Sequence, residues 1–520
     1  MTAAFLDPRD QGAHVVTHLT DWVAFNAQRF GSEIAVENLD NGEQLTWTQF
    51  EGHVGRLATV LRDLGVGAGD RVGLVAEDDW RVLAVQFACI RLRAMYVPFN
   101  WRLTTAEIEI LAKDAEPSIV VHDGAWASTA TTLAEQAGLP RASWSDGTAE
   151  RDLDALVAAA DPIDYDGHYR DDQVAQMLYT SGTTGLPKGA LVTLGGLAWH
   201  TLNVVHEMGI GAPPARYLSQ LPLFHAAGLN ALTIPTLMSG GRVSILRRFD
   251  PATVAQLLSD AAEGVTNLSG APVMWRMIME NSPNDADFSH VRAGQVGGGA
   301  IPADVGAWFS EHGLELQAGW GATEMGPSVT LMPKASRAAK AHTVGFPVRH
   351  VQIRVVDPLT NEDVAPGEIG EAWVRGPSIS VGYWRREPDT DPDSKAGWFK
   401  CGDAISIDED GYVALRGRFK DMYKSGGENV FCAEVERVIV SHPSVQDAAV
   451  IGVPDEKWGE VGYAVVVPAA GEQVDGPDVL AHVASRLAKY KVPTRVIVVD
   501  DFPRNVTGKI QKNVLRDQLV

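Results

Sequence analysis

The sequence predicts an α/β protein: a large N-terminal domain of helix-covered, mostly parallel sheets with a β-rich subdomain, then a small α+β C-terminal domain. Three observations carry this. Early in the chain, short apolar runs alternate with helical stretches, the rhythm of parallel strands joined by helices. From about Val351 the helices thin out, and short strands follow one another across turn residues. After Lys420 a compact mixture of helix and strand closes a chain of 520 residues. At about 100–200 residues per domain, that length exceeds one simple core.

The elements follow in order. Arg71–Val75 is a short apolar run, Trp80–Ala94 is apolar and long enough for a buried helix, and Tyr96–Pro98 restarts an extended segment. Thr104 and Glu107 fit a capping box, with Ile108, Leu111 and Ala112 behind them at helical spacing. Ser118–His122 returns to strand, as does Arg242–Leu246. Asp250 reads as an N-cap with Pro251 at the first helical position, and Val254, Leu257, Leu258 and Ala261 form one helix face. VTNL (265–268), HVRAGQV (290–296) and LELQ (314–317) are buried strands, each ending in a Gly-rich or polar loop. In open α/β sheets the ligand crevice lies at the carboxyl ends of the strands, so these loops fall where a ligand is expected.

The segments VQIRVVD (351–357), GEIGEAWVRG (367–376) and GYVALRG (411–417) predict an antiparallel subdomain. Beyond it, AEVERVIVSH (433–442) and DVLAHVASRLAKY (478–490) read as helices, and DAAVIGVPD (447–455) and TRVIVVDDFP (494–503) as strands. The domain boundary is placed near Lys420, giving domains 1–419 and 420–520.

Composition narrows the function. The formal charge of −22 disfavours nucleic acid and anionic membranes as partners. A polyphosphate would have to be held by a few focused cations and backbone N–H groups. The 3 cysteines lack CxxC or Cys/His spacing, which argues against disulfide frameworks and zinc sites. The N-terminus lacks the basic and apolar regions of a signal peptide, and no stretch reaches the roughly 18 apolar residues of a membrane span. A cytoplasmic location is expected.

The most informative stretch is MLYTSGTTGLPKGALV (177–192). Its glycines let backbone N–H groups approach an anion, its hydroxyls add donors, and its single lysine adds a mobile charge. That chemistry suits a polyphosphate. It is not a Walker A loop: Pro187 and Gly189 stand where that motif needs Gly and Ser or Thr.

The stretch resembles the phosphate loop of the adenylate-forming superfamily, which includes acyl-CoA synthetases, firefly luciferase and the adenylation domains of peptide synthetases. Six further segments match in the same order: LPLFHAAG (221–228), GGGAIP (297–302), GWGATE (319–324), GWFKCGD (397–403), GRFKDMYKSGGENV (417–430) and PRNVTGKI (503–510). The resemblance implies two half-reactions. A carboxylate attacks the α-phosphorus of ATP to give acyl-AMP and pyrophosphate, and a thiol then displaces AMP. It also implies that the C-terminal domain is mobile, rotating between the two steps.

By this resemblance Thr180, Ser181, Gly182, Thr183, Thr184 and Lys188 hold phosphates, and Lys509 is the catalytic lysine bridging carboxylate and α-phosphate. Glu324 is the magnesium ligand, with Thr323 near the phosphate; a hard ion that keeps several waters needs only one or two carboxylates. Gly298, Gly299 and Ala300 flank one side of the adenine, and Gly319, Trp320 and Gly321 the other. Trp320 stands where the family usually has tyrosine; its indole can stack on adenine, but the phenolic hydroxyl is lost. Asp403 and Arg418 are the ribose-side contacts. Lys420 is the hinge, and Lys424 and Gly427 face the site in the second half-reaction. His225, Gly297 and Met325 border the acyl pocket.

Plainer roles remain open from the residues alone: a solvated lysine at 509, a helix-terminal charge at 324, a surface ion pair at 403 and 418, and a packed core histidine at 225. The implied cofactors are ATP, Mg2+ and coenzyme A, and the implied partner is a small carboxylate. A homodimer is compatible with the sequence. SGGENVFCAEVE, FNWRLTTAEIEIL and PDEKWGE resemble bacterial fatty-acyl and aryl-CoA ligases, slightly closer to the medium- and long-chain fatty-acyl enzymes. The alternatives are an adenylating enzyme that loads a carrier protein, and a non-catalytic nucleotide- or acyl-binding regulator.

Overall fold

Parallel strands buried on both faces must be almost wholly apolar, and the strand Arg71–Val75 is buried at every position after its first residue. It sits inside a six-stranded sheet in the order Lys188–Thr193, Val174–Thr180, Met95–Pro98, Arg71–Val75, Ile119–Asp123, Arg141–Trp144. All pairings are parallel except the hairpin between Val174–Thr180 and Lys188–Thr193. The computed structural model describes residues 18–519 apart from 145–150, 165–166, 181–186, 212–214, 387–391, 427 and 505–509.

The predicted helix after the first strand runs from Trp80 to Leu92, and nearly all of its residues are buried. Thr104 and Glu107 form the anticipated capping box. Glu107 N donates to Thr104 Oγ1 at 3.4 Å, and Thr104 N to Glu107 Oε2 at 2.8 Å.

A nine-stranded sheet packs beside the first. Its central strands, Leu316–Trp320, Ala293–Val296, Asn267–Gly270, Arg216–Ser219, Arg242–Ile245 and Ile34–Asn38, are parallel, and antiparallel strands close both ends. The helix Pro251–Ser259 starts where Pro251 predicts, but Asp250 caps no backbone N–H. Its carboxylate instead accepts the Thr253 hydroxyl at 3.3 Å. Ala261 lies beyond the helix end.

The β-rich subdomain is a four-stranded antiparallel sheet of Gln352–Val356, Gly370–Arg375, Phe399–Ile407 and Val413–Arg418. A further sheet is built only from residues after Asp421: Glu428–Val430, Tyr423–Ser425, Gly459–Pro468, Val445–Asp455 and Arg495–Val498. Two helices that pack against it are Cys432–Val440 and Gly476–Ala484. The second is shorter than its apolar pattern predicts. The Ser485 hydroxyl and the Arg486 guanidinium both donate to His482 O, supplying side-chain donors where the backbone ladder stops. Among the described residues no helix is long and apolar enough to cross a membrane.

Candidate active site

The polar loops do lie at the carboxyl ends of parallel strands. Strand Leu316–Trp320 runs into Gly321, where a Cβ would stand 2.5 Å from Pro327 O, so only glycine fits. The chain then makes a 3-10 turn, Thr323–Met325. From that turn Glu324 reaches the end of the neighbouring sheet's hairpin: its Oε1 accepts from Thr180 Oγ1 at 3.0 Å and from Tyr383 OH at 2.9 Å. Across the hairpin, Lys188 places its ammonium 5.3 Å from the Tyr383 ring centroid. Thr180, Lys188, Thr323 and Glu324 are thus assembled from two sheets at one point. Oε2 of Glu324 has no hydrogen-bond donor among the described residues.

Tyr383 was not anticipated. Its segment docks on the open edge of strand Lys188–Thr193: Leu191 N donates to Gly382 O (2.9 Å), Val381 N to Leu191 O (3.1 Å), and Trp384 N to Gly189 O (2.8 Å). Periodicity carries no sign of this in the irregular stretch SISVGYWRR (378–386). The one cue was the Gly-Tyr pair itself, with Gly382 in a left-handed conformation (φ 126°).

A second group forms where Trp320 meets the β-rich subdomain. Trp320 Nε1 donates to Asp403 Oδ2 at 2.9 Å, and Arg418 Nε lies 2.8 Å from Asp403 Oδ1. Asp403 and Arg418 are cross-strand partners in register, and Asp403 is buried. The indole that replaces the family's usual phenol therefore supplies a hydrogen-bond donor to a carboxylate. Gly297, Gly298, Gly299 and Ala300 follow the adjacent parallel strand Ala293–Val296, so they neighbour the Gly319–Gly321 turn. Gly298 adopts φ 78°, and among the described residues beyond the chain neighbours no atom lies within 4 Å of where a Cβ on Gly297 or Gly298 would stand.

The acyl-loop candidate follows strand Arg216–Ser219. Gly228 packs so tightly over the Leu221 and Pro222 carbonyls that no side chain could be placed there. His225 Nδ1 accepts from Ala227 N at 3.2 Å, so the ring caps the turn as an acceptor. Burial pushes its pKa down to about 4, which keeps it neutral near pH 7. Met325 is fully buried.

Two supports of this loop were also missed. Leu223 N donates to Asp78 Oδ1 at 3.0 Å, and burial raises that carboxyl to about 7. Gln176 and Asn230 exchange reciprocal amide bonds of 3.0 and 2.7 Å, tying the π-helical turn Leu229–Thr233 to strand Val174–Thr180.

The chain matches the AMP-binding enzyme family over residues 23–384, and that family's C-terminal domain over residues 434–509. The chain belongs to the AMP-binding enzyme family. Among curated relatives, a feruloyl-CoA synthase of Amycolatopsis is 38% identical, covering 96% of this chain and 98% of its own. An indoleacetate–CoA ligase of Aromatoleum aromaticum is 33% identical over 96% and 98%. A long-chain-fatty-acid–CoA ligase of Mycobacterium tuberculosis is 33% identical over 91% and 93%. Among solved structures, ATP-bound MatB from Rhodopseudomonas palustris matches with a TM-score of 0.85 at 32% identity, covering 96% of this chain and 99% of that one.

That membership, together with curated relatives named as CoA ligases and synthetases, makes the protein an acid–thiol ligase of the acyl-CoA synthetase type. The expected lean toward fatty-acyl enzymes is not the order of identity found, since the feruloyl enzyme ranks above the long-chain one. Lys420 lies exposed in the 3-10 turn Phe419–Asp421, and Lys424 is exposed on the following strand. Among the described residues, neither side chain bonds to the Glu324 or the Asp403 group. Ser181, Gly182, Thr183, Thr184, Gly427 and Lys509 lie outside the described residues.

Proposed function

We propose that the protein is an ATP-dependent aryl-acid–CoA ligase, which activates an aromatic carboxylic acid through an acyl-AMP and transfers the acyl group to coenzyme A. The observation that carries the nucleotide chemistry is the Glu324 carboxylate. One oxygen is held by Thr180 and Tyr383, and the other lacks a protein donor among the described residues. A single half-satisfied carboxylate beside a lysine suits Mg2+, which takes few protein ligands when phosphates supply the rest. The described residues hold no cluster of three or more His, Cys, Asp or Glu that would favour another metal site. Bound there by Glu324, Mg2+ would neutralise charge on the departing pyrophosphate.

The protein's own residues divide the work. Lys188, at the far side of the hairpin, meets triphosphate charge. Asp403, fixed by Trp320 and Arg418, accepts from ribose hydroxyls. Gly297–Ala300 and Gly319–Gly321 bound the adenine slot and the start of the acyl pocket. His225 is neutral and shapes that pocket without transferring a proton. Residues 420–520 act as the mobile domain about Lys420, bringing Lys509 to the carboxylate and α-phosphate for adenylation and the Lys424–Gly427 loop to the thiol for transfer. The 38% identity to the feruloyl enzyme, against 33% to both the indoleacetate and the long-chain enzymes, favours an aryl acid over a long aliphatic one.

The test is carboxylate-dependent ATP–pyrophosphate exchange across hydroxycinnamates, arylacetates and fatty acids from acetate to palmitate, followed by AMP release with and without coenzyme A. Fastest exchange with an aryl acid, with AMP release stimulated by coenzyme A, is expected. Exchange without that stimulation would point to carrier-protein loading. A preference for palmitate would overturn the aryl assignment.

A further inference from the structure

Among the described residues, Tyr383 is the one side chain that touches both charged members of the phosphate pole. Its hydroxyl donates to Glu324 Oε1 at 2.9 Å, and its ring lies 5.3 Å from the Lys188 ammonium. Opposite charges this near a common ring would ordinarily pair, yet among the described residues no ion pair joins Lys188 to Glu324. Direct pairing would spoil both groups, because the ammonium would be spent on the carboxylate instead of an anion and the carboxylate on the ammonium instead of a cation. An aromatic ring offers a compromise. Its face attracts the ammonium more weakly than a carboxylate would, and its hydroxyl satisfies one carboxylate oxygen without neutralising it.

The ring is also well seated. The backbone on both sides of it is bonded to strand Lys188–Thr193, and Ser380 N donates to Glu324 O at 2.8 Å, tying the same segment to the Glu324 turn.

We propose that Tyr383 is a positioning residue for the nucleotide pole of the adenylation step: it presents Glu324 Oε2 to a divalent cation and holds Lys188 apart from that carboxylate, available to phosphate. This rests on Glu324 being the magnesium ligand, and the experiment separates the two claims.

Wild type, Y383F, Y383L and E324Q are titrated by calorimetry with α,β-methylene-ATP, with and without Mg2+. The readout is the gain in nucleotide affinity that Mg2+ produces. In Y383F one hydrogen bond to a charged acceptor is lost while the ring remains. The magnesium-dependent gain should shrink about tenfold, with metal-free binding unchanged. Its pyrophosphate exchange should recover toward the wild-type kcat at high Mg2+, a rise in the Mg2+ requirement and not a loss of capacity. Y383L also removes the spacer, so metal-free nucleotide binding should fall as Lys188 pairs with Glu324. If Y383F keeps the full gain while E324Q loses it, Tyr383 is packing only and the proposal is wrong. If E324Q itself keeps the gain, Glu324 is not the metal ligand, and the role given to Tyr383 falls with it.

Discussion

Replacing Asp78 by asparagine should stabilise the protein, and only above mildly acidic pH. Asp78 is buried below the acyl loop, and its carboxyl is raised from 3.8 to about 7. Burial is the main cause and the Glu77 charge adds to it, against the opposing Leu223 N–H and the Arg102 and Arg247 charges. Below about pH 4 the folded and unfolded chains both hold the proton, and nothing is lost. Between about 4 and 7 the unfolded chain ionises first, so stability falls as pH rises, and the loss is complete above the folded value. Three units at 1.36 kcal/mol each set a ceiling of about 4 kcal/mol.

Asparagine keeps an oxygen for Leu223 N, now 3.0 Å away from Asp78, and carries no charge. D78N should therefore come within about 1 kcal/mol of wild type in urea unfolding near pH 4.5 and exceed it by a few kcal/mol, on the order of the ceiling, near pH 8.5. Adenylation should persist, because the loop keeps its anchor. Equal stability differences at the two pH values, or a D78N protein weaker at both, would refute an ionisation cost at this site.

Other outcomes follow from the same geometry. W320F keeps an aromatic face but leaves buried Asp403 Oδ2 without its indole donor; a hydrogen bond to a charged group is worth about 1.5–3 kcal/mol. The KM for ATP in pyrophosphate exchange should rise roughly tenfold or more. K509A should abolish acyl-AMP formation yet still make thioester from supplied acyl-AMP, read by chromatography of each half-reaction. On the proposed role of the Lys424–Gly427 loop in the second half-reaction, G427L should do the reverse, blocking thioester formation while pyrophosphate exchange continues. Equal loss of both steps in G427L would remove that role.

The fold was legible wherever two local signals agreed. Thr104 with Glu107 and the apolar periodicity behind them specify a helix start twice, and both bonds form. One signal alone was less secure: Asp250 sits at the helix start, but its side chain bonds a nearby hydroxyl instead of the backbone. The long strand Gly459–Pro468 escaped notice because glycines interrupt its alternation. Gly462 lies against the Tyr423 hydroxyl, where any Cβ would collide, so packing dictates the break in pattern.

Much the same holds for the site. Glycine, hydroxyl and charged residues in contiguous motifs could be recognised from the chain. The supports could not, because they join distant positions: Leu223 to Asp78 across 145 residues, Glu324 to Tyr383 across 59, and Gln176 to Asn230 across 54. Each is a single ordinary residue in an unremarkable stretch. Its partner is set by how two sheets abut, which no local spacing records.

The central claim is that a carboxylate oxygen attacks the α-phosphorus of ATP. Turnover of an accepted acid carrying oxygen-18 in its carboxylate, with coenzyme A present, tests it directly by mass spectrometry of the products. The account expects the label in AMP and none in pyrophosphate, since the bridging oxygen leaves with the nucleotide when the thiol attacks. Unlabelled AMP, or label in pyrophosphate or inorganic phosphate, would contradict it.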